Sequence, residues 1–128
     1  RTAAFALRPT EALEMDVSFG ATPDTKPGET GEMKKGPMIG FSPMLDRGVC
    51  ERLAKLAQSN GIPYQYEIME GETGTNADEI AKVGAGVRCG MLSIPQQYMH
   101  TVIEKVAVED IEAVGRLIAA YMLEGGAD

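Results

Sequence analysis

EALEMDVSF, residues 11–19, alternates apolar and polar side chains along most of its length. Leu13, Met15, Val17 and Phe19 point one way, while Glu14, Asp16 and Ser18 point the other. A period of two belongs to a β-strand, and the apolar row predicts that one face of it is buried. Residues 20–37 follow, dense in Gly, Pro, Thr, Asp and Glu. They are too polar for a core and too rich in turn formers for a regular element, so they read as a long surface loop. A loop of that length inside a domain is more often functional than decorative.

Further along, PMIGF (37–41) reads as a short strand. Asp46 is placed to cap a helix running to about Ser59, with Val49, Leu53, Leu56 and Ala57 on one face and a Glu51–Lys55 pair one turn apart. Asn60 and Gly61, with Pro63 beyond, stop it. IPYQYEIM (62–69) is a second short strand. GETGTNAD (71–78) is a turn entering a short helix, ADEIAKVG, with Thr75 or Asn76 as its cap. GVRCGMLSIP (86–95) is a strand ending at Pro95. A final helix spans about Val108 to Leu123. Ile111, Val114, Ile118 and Tyr121 form its buried stripe, and Glu109 and Asp110 complement its dipole. The order β, β, α, β, α, β, α predicts an α/β fold: a layered α/β/α arrangement around a mixed, partly parallel sheet. Ligands of such sheets collect at the carboxyl ends of the strands, where Asp16, the 71–76 turn and the 93–101 segment all fall.

Composition narrows the partners. At 128 residues the chain is one domain's worth, and 44% hydrophobic residues supply a core. Nineteen acids against 12 bases give a net charge of −7. Binding a phosphate backbone or an anionic bilayer needs the opposite balance, so neither nucleic acid nor membrane is expected as a partner. No apolar run approaches the roughly 20 residues of a membrane helix, and RTAAFALRPT lacks a continuous signal-peptide core. Cys50 and Cys89 are too few for a disulfide framework and sit in core-like contexts, as expected of buried thiols in a reducing cytoplasm.

Two residues attract attention for their chemistry. His100, the single histidine, lies just past the 86–95 strand. Neutral imidazole is the commonest metal ligand, yet a lone histidine is more often structural or simply exposed. Asp16 stands near the end of an otherwise apolar strand, where a carboxylate can face a crevice; an exposed or turn-forming aspartate is the bland alternative. Together they make a hard-to-borderline pair suited to zinc, cobalt or manganese, but two ligands are not a site. No HExxH, paired CxxC, P-loop or Gly-x-Ser-x-Gly element is present. The eight methionines are scattered and read as core filler.

Four segments taken together carry a family resemblance: MDVSFGATPDTKPG, KKGPMIGFSPMLDR, GETGTNADEIAKVGAGV and LSIPQQYMHTVIE. In this order and spacing they resemble the carboxyl-terminal half of the co-catalytic metallo-aminopeptidases of clan MH. That group includes the glutamyl and tetrahedral aminopeptidases, and some members are labelled endoglucanase or cellulase. The resemblance implies a hydrolase that removes amino-terminal residues from peptides with two divalent metal ions, zinc or cobalt. It implies that Asp16 is a terminal ligand to one metal and His100 to the other. A bridging water attacks the peptide carbonyl, with a glutamate as general base. Residues 92–95, Ile94 among them, and the turn bearing Gly74 and Thr75 are expected to wall the substrate pocket.

The resemblance also implies what lies elsewhere. The family's first histidine ligand, its bridging aspartate and its Glu-Glu pair, general base included, fall upstream of the matched region. So does an inserted dimerisation domain. Residues 1–128 are therefore expected to be the carboxyl-terminal part of a catalytic domain, inactive alone, whose partners are its missing amino-terminal half, peptide substrates and further copies in a homo-oligomer. Gln97 and Val102 stand where the family often has Arg and Pro, which predicts altered local substrate contacts. Two other readings compete: a non-catalytic α/β interaction domain, and a glycosidase in keeping with the endoglucanase label, which would need a carboxylate pair flanking a sugar cleft.

Overall fold

The computed structural model describes residues 1–124. Along the chain run α1 (Thr2–Leu7), β1 (Glu11–Phe19), β2 (Met38–Phe41), α2 (Arg47–Ser59), β3 (Gln65–Ile68), α3 (Asn76–Ala81), β4 (Arg88–Gln97), β5 (Lys105–Val106) and α4 (Val108–Glu124). The strands join in the order β1-β4-β2-β3, with β5 paired to β4. β1 and β4 are parallel, from Glu11 opposite Arg88 to Phe19 opposite Gln96. β2 lies antiparallel to β4 and parallel to β3. The sheet is thus mixed and partly parallel, as the alternation of elements predicts.

Side chains alternate along β1 and β4, and the two faces receive different helices. Leu13 and Gly90 face α2. A Cβ on Gly90 would stand 2.5 Å from Val49 Cγ1, so the absent side chain lets the helix lie close on the sheet. Glu14 and Met91 face the other way, where the Thr75 hydroxyl at the start of α3 meets both. α2 and α4 therefore cover one face and α3 the other, giving the α/β/α layers. β4 is the central strand, buried at every position from Cys89 to Gln96. Ile39, Val49, Leu53, Leu92 and Leu117 are fully buried. Each contributes about 1.5–3 kcal/mol by leaving water.

Asp46 caps α2, its carboxylate accepting the Val49 N–H at 2.9 Å. Asp110, in the first turn of α4, does more than complement a dipole. It is buried and accepts the backbone N–H groups of Lys34 (2.7 Å) and Gly36 (2.8 Å), tying the end of the long loop to the helix.

Several expectations need correction. Met15 and Phe19 are exposed on β1, an edge strand, whereas Glu14 is buried, with the Thr75 hydroxyl at the start of α3 donating to it. Ile111 is exposed; Val114 is buried as expected, Ile118 and Tyr121 pack partly buried against the core, and Ala113 and Leu117 complete the stripe. Glu51 pairs with Arg47 at 2.7 Å rather than with Lys55; both bases lie one turn away, and the planar guanidinium takes the carboxylate. α3 ends at Ala81, earlier than ADEIAKVG suggests. α1 and β5 are additional elements, too short to leave a periodic signal.

Candidate functional site

Asp16 lies in the second half of β1, opposite Ser93 of β4. It is half-buried, and its Oδ1 accepts the Val17 N–H at 2.8 Å. Its other oxygen carries no hydrogen bond among the described residues. His100 lies in the turn beyond β4, exposed, with its N–H donating to Glu104 Oε1 at 2.8 Å. The turn is unusual in its backbone: Tyr98 (φ 62°) and His100 (φ 64°) both adopt the left-handed conformation. Non-glycine residues persist there only when their surroundings fix them. Thr101 does the fixing, its hydroxyl proton shared between the carbonyls of Tyr98 (2.6 Å) and Ile103 (2.8 Å).

Asp16 and His100 thus occupy the carboxyl-terminal half of β1 and the exit of its parallel partner. They are not gathered with a third ligand. Among the described residues no group of three His, Cys, Asp or Glu side chains could hold a metal ion. The donor types themselves fit. A carboxylate with one oxygen unengaged and an exposed imidazole are hard and borderline ligands that suit zinc or cobalt. Two such side chains by themselves do not make a metal centre.

The turn before α3 is fully built. Gly74 has φ 73°, the left-handed region that favours glycine. Thr75 caps α3, its Oγ1 accepting the Ala77 N–H at 3.1 Å, and pairs with the Thr73 hydroxyl at 2.9 Å. Burial pushes the Asp78 carboxyl up, but hydrogen bonds from the Thr73 N–H and hydroxyl and the Gly74 N–H outweigh it and hold the pKa below its usual value. Ile94 is buried in β4, opposite Val17.

Three polar residues on the Asp16 side of the sheet escaped the sequence reading. Glu14, two positions before Asp16 on the same face, is buried and has its pKa raised to about 7, first by burial and then by the nearby Asp16 charge, against the Thr75 hydrogen bond. Glu67 of β3 is held by two serines. Ser18 donates to its Oε1, and the buried Ser93 donates to its Oε2 at 2.8 Å. The signal for Glu14 was present in the alternation that marks Asp16. Glu67 and Ser93 meet across 26 residues of sequence, and no local pattern announces that.

The comparisons with known proteins bear on the family and the fold. The M42 glutamyl aminopeptidase profile matches residues 1–117. A lysyl aminopeptidase of Pyrococcus furiosus is 32% identical over 124 residues, covering 97% of this chain and 36% of that protein. An aminopeptidase from the archaeon Desulfurococcus kamchatkensis superposes with a TM-score of 0.88 at 28% identity, over 97% of this chain and 37% of that one. The Pyrococcus horikoshii TET1 peptidase, which can assemble into a tetrahedron or a large octahedral shell, superposes with a TM-score of 0.58 at 25% identity, over 85% of this chain and 32% of that one. The chain spans about a third of the length of these relatives. By the match along most of its sequence, and by the fold it shares with solved aminopeptidases, the chain belongs to the M42 glutamyl aminopeptidase family.

Proposed function

We propose that this chain is the carboxyl-terminal part of a dinuclear-metal aminopeptidase, to which it contributes Asp16 as a ligand to one metal and His100 as a ligand to the other. The observation that carries the reading is the fixed left-handed turn at residues 98–100. It stands at the exit of the strand paired in parallel with Asp16's own, where ligands of α/β sheets collect. Two metal ions, zinc or cobalt, would supply Lewis acidity and an activated water. The residues here hold and orient. The Thr101 hydroxyl fixes the turn that carries the imidazole, and the Val17 N–H fixes the Asp16 carboxylate. Ile94, Gly74 and Thr75 are proposed to wall the substrate pocket. Peptides are the proposed substrates. The general base and the remaining ligands are assigned to the rest of the enzyme, so the 128 residues alone are expected to be inactive.

Homo-oligomeric assembly is proposed on the likeness to the shell-forming relative. A reducing, cytoplasmic setting is supported by two free, buried thiols, Cys50 and Cys89, which burial first pushes up to about 11 and about 12 and so makes unreactive. No described helix is long and apolar enough to cross a membrane.

The test is hydrolysis of aminoacyl anilides by the full-length polypeptide, with and without added zinc or cobalt. Metal-dependent turnover abolished by Asp16→Ala and by His100→Ala is the expected result. Full turnover in either variant would sink the ligand assignment. Release of reducing sugar from a β-glucan, with no anilide hydrolysis, would replace the aminopeptidase reading by the glycosidase one.

A further inference from the structure

A cleft of about 330 Å³ lies between the end of α1 and the turn that joins α3 to β4. These two segments stand just before Glu11 and Arg88, the first residues of β1 and β4. The cleft therefore sits by the amino ends of the parallel pair, and Glu11 and Asp16 are themselves roughly 17 Å apart along β1. Both of its walls are fixed by their own hydrogen bonds. The Arg8 N–H closes α1 on the Ala4 carbonyl at 2.9 Å. Across the cleft, the Gly86 and Val87 N–H groups reach the carbonyls of Val83 (2.9 Å) and Ala81 (3.2 Å). Gly84 has φ 59°, and a Cβ there would meet nothing within 4 Å, so the turn leaves the mouth open.

Phe5, Pro9, Val83 and Val87 make the lining largely apolar, yet Phe5 is 64% exposed. A ring left in water beside a preformed hollow gains by being covered. Arg8 is the one charged residue of the lining, and it forms no ion pair among the described residues. An adjoining cleft of about 310 Å³ shares Phe5, Val83 and Gly84 and adds Arg1 and Lys82, each already paired with a glutamate. Every charged residue lining the two clefts is thus basic, in a chain whose net charge is −7. That local balance runs against the whole and favours an anion. A guanidinium takes a carboxylate through two parallel N–H···O bonds, while the apolar wall takes a hydrocarbon tail. The volume, near the lower bound of the roughly 300–1,000 Å³ of ligand sites, keeps that tail to a few carbons.

We propose that this cleft binds a small carboxylate with an apolar tail, its head on the Arg8 guanidinium and its tail against Phe5 and Val83. The inference stands apart from the aminopeptidase reading, since it uses neither Asp16 nor His100.

Calorimetry on the full-length polypeptide compares hexanoate with hexylamine, which keeps only the tail, and with acetate, which keeps only the charge. Saturable binding of hexanoate, about tenfold tighter than either, is the expected result. Arg8→Gln should weaken hexanoate about tenfold, the size expected when a charged hydrogen-bond partner is lost. Ala85→Phe, at an exposed position of the same lining, should abolish binding with the melting temperature unchanged. Equal affinity for hexanoate and hexylamine, undiminished binding in Arg8→Gln, or no saturable heat at all overturns the proposal. The last result would mean that the rest of the polypeptide fills the cleft or that it stays empty. If Arg8→Gln lowers the melting temperature, Ala85→Phe decides alone, and hexanoate binding retained there overturns the proposal.

Discussion

The two ends of β1 carry carboxylates in opposite circumstances. At the amino end, Glu11 is locked: Arg52 of α2 donates to its Oε1, and Arg88 of β4 reaches its Oε2 at 2.9 Å. Arg52 is itself held, donating to the Tyr121 hydroxyl at 2.5 Å, with its guanidinium carbon 4.7 Å from the centre of that ring. At the carboxyl end, Asp16 and Ser18 are half-buried, Phe19 is exposed, and neither Asp16 nor His100 forms an ion pair among the described residues. One end of the strand is closed by charge pairing and serves stability. The other presents groups that the fold does not need for itself. Substitutions should therefore act on folding at the first end and on binding at the second.

The largest expected effect lies at Glu11. The Arg52 side chain is 17% exposed and that of Glu11 10%. Glu11→Ala would strand a largely buried guanidinium, whose other anion, Glu124, stays 3.8 Å away. A loss of about 3–5 kcal/mol is expected in urea unfolding. The double variant Glu11→Ala/Arg52→Met should recover much of it, because removing both charges spares the penalty of the unpaired one. A double variant no more stable than the single one would mean that the packing of Glu11, not its charge, closes this end.

Glu14, midway along the strand, sharpens the contrast through pH. Its pKa is raised to about 7 from 4.5, so the folded state favours the protonated form. Stability is then full below about pH 4.5 and is lost as pH rises through about 7, a change on the order of 3 kcal/mol. Chelated samples of the 128-residue chain should show that decline, and Glu14→Gln should flatten it. An unchanged pH slope in the variant would move the titration to another group.

The next effect is smaller and local. Thr75→Ala removes the cap of α3 and should lower stability by about 1 kcal/mol, read as a shift in the melting temperature. Thr75→Ser, which keeps the hydroxyl, should restore it. If Thr75→Ser is as unstable as Thr75→Ala, the threonine methyl matters more than the cap.

Periodicity made most of this fold legible because each long element obeys one rule along its length. β1 runs from Glu11 to Phe19 and α4 begins at Val108, where the sequence placed them. Asp46 was a readable cap because its partner is three residues away. Periodicity does not tell which face is covered, however. The alternation in EALEMDVSF is real, but Met15 and Phe19 are left exposed while Glu14 meets Thr75 at the start of α3, and what covers each position is set by distant elements. The same limit hid Asp110, whose acceptors lie 74 and 76 residues from their donors, and Glu67, gathered to serines from two other strands. Asp16 and His100 stood out through chemical type and the family resemblance; the structure places Asp16 in the second half of β1 and His100 in the turn after β4. Their joint use of metal remains a proposal.

The smallest expected effect on folding falls on those two residues, and it is the most informative about the open end. His100 is exposed, and the contacts that fix its turn come from its own backbone and from Thr101. His100→Ala removes only an imidazole with no hydrogen-bond or ion-pair partner among the described residues, so stability should change by less than about 0.5 kcal/mol. Asp16→Asn keeps an oxygen that can accept the Val17 N–H, and should be equally mild. The same two substitutions in the full-length polypeptide should each lower zinc or cobalt content, measured by elemental analysis, while its melting temperature without metal stays put. That separation is what a binding residue must display. If either substitution destabilised the metal-free protein as Glu11→Ala is expected to, the carboxyl end of β1 would be a second structural lock, and the difference between the two ends would vanish.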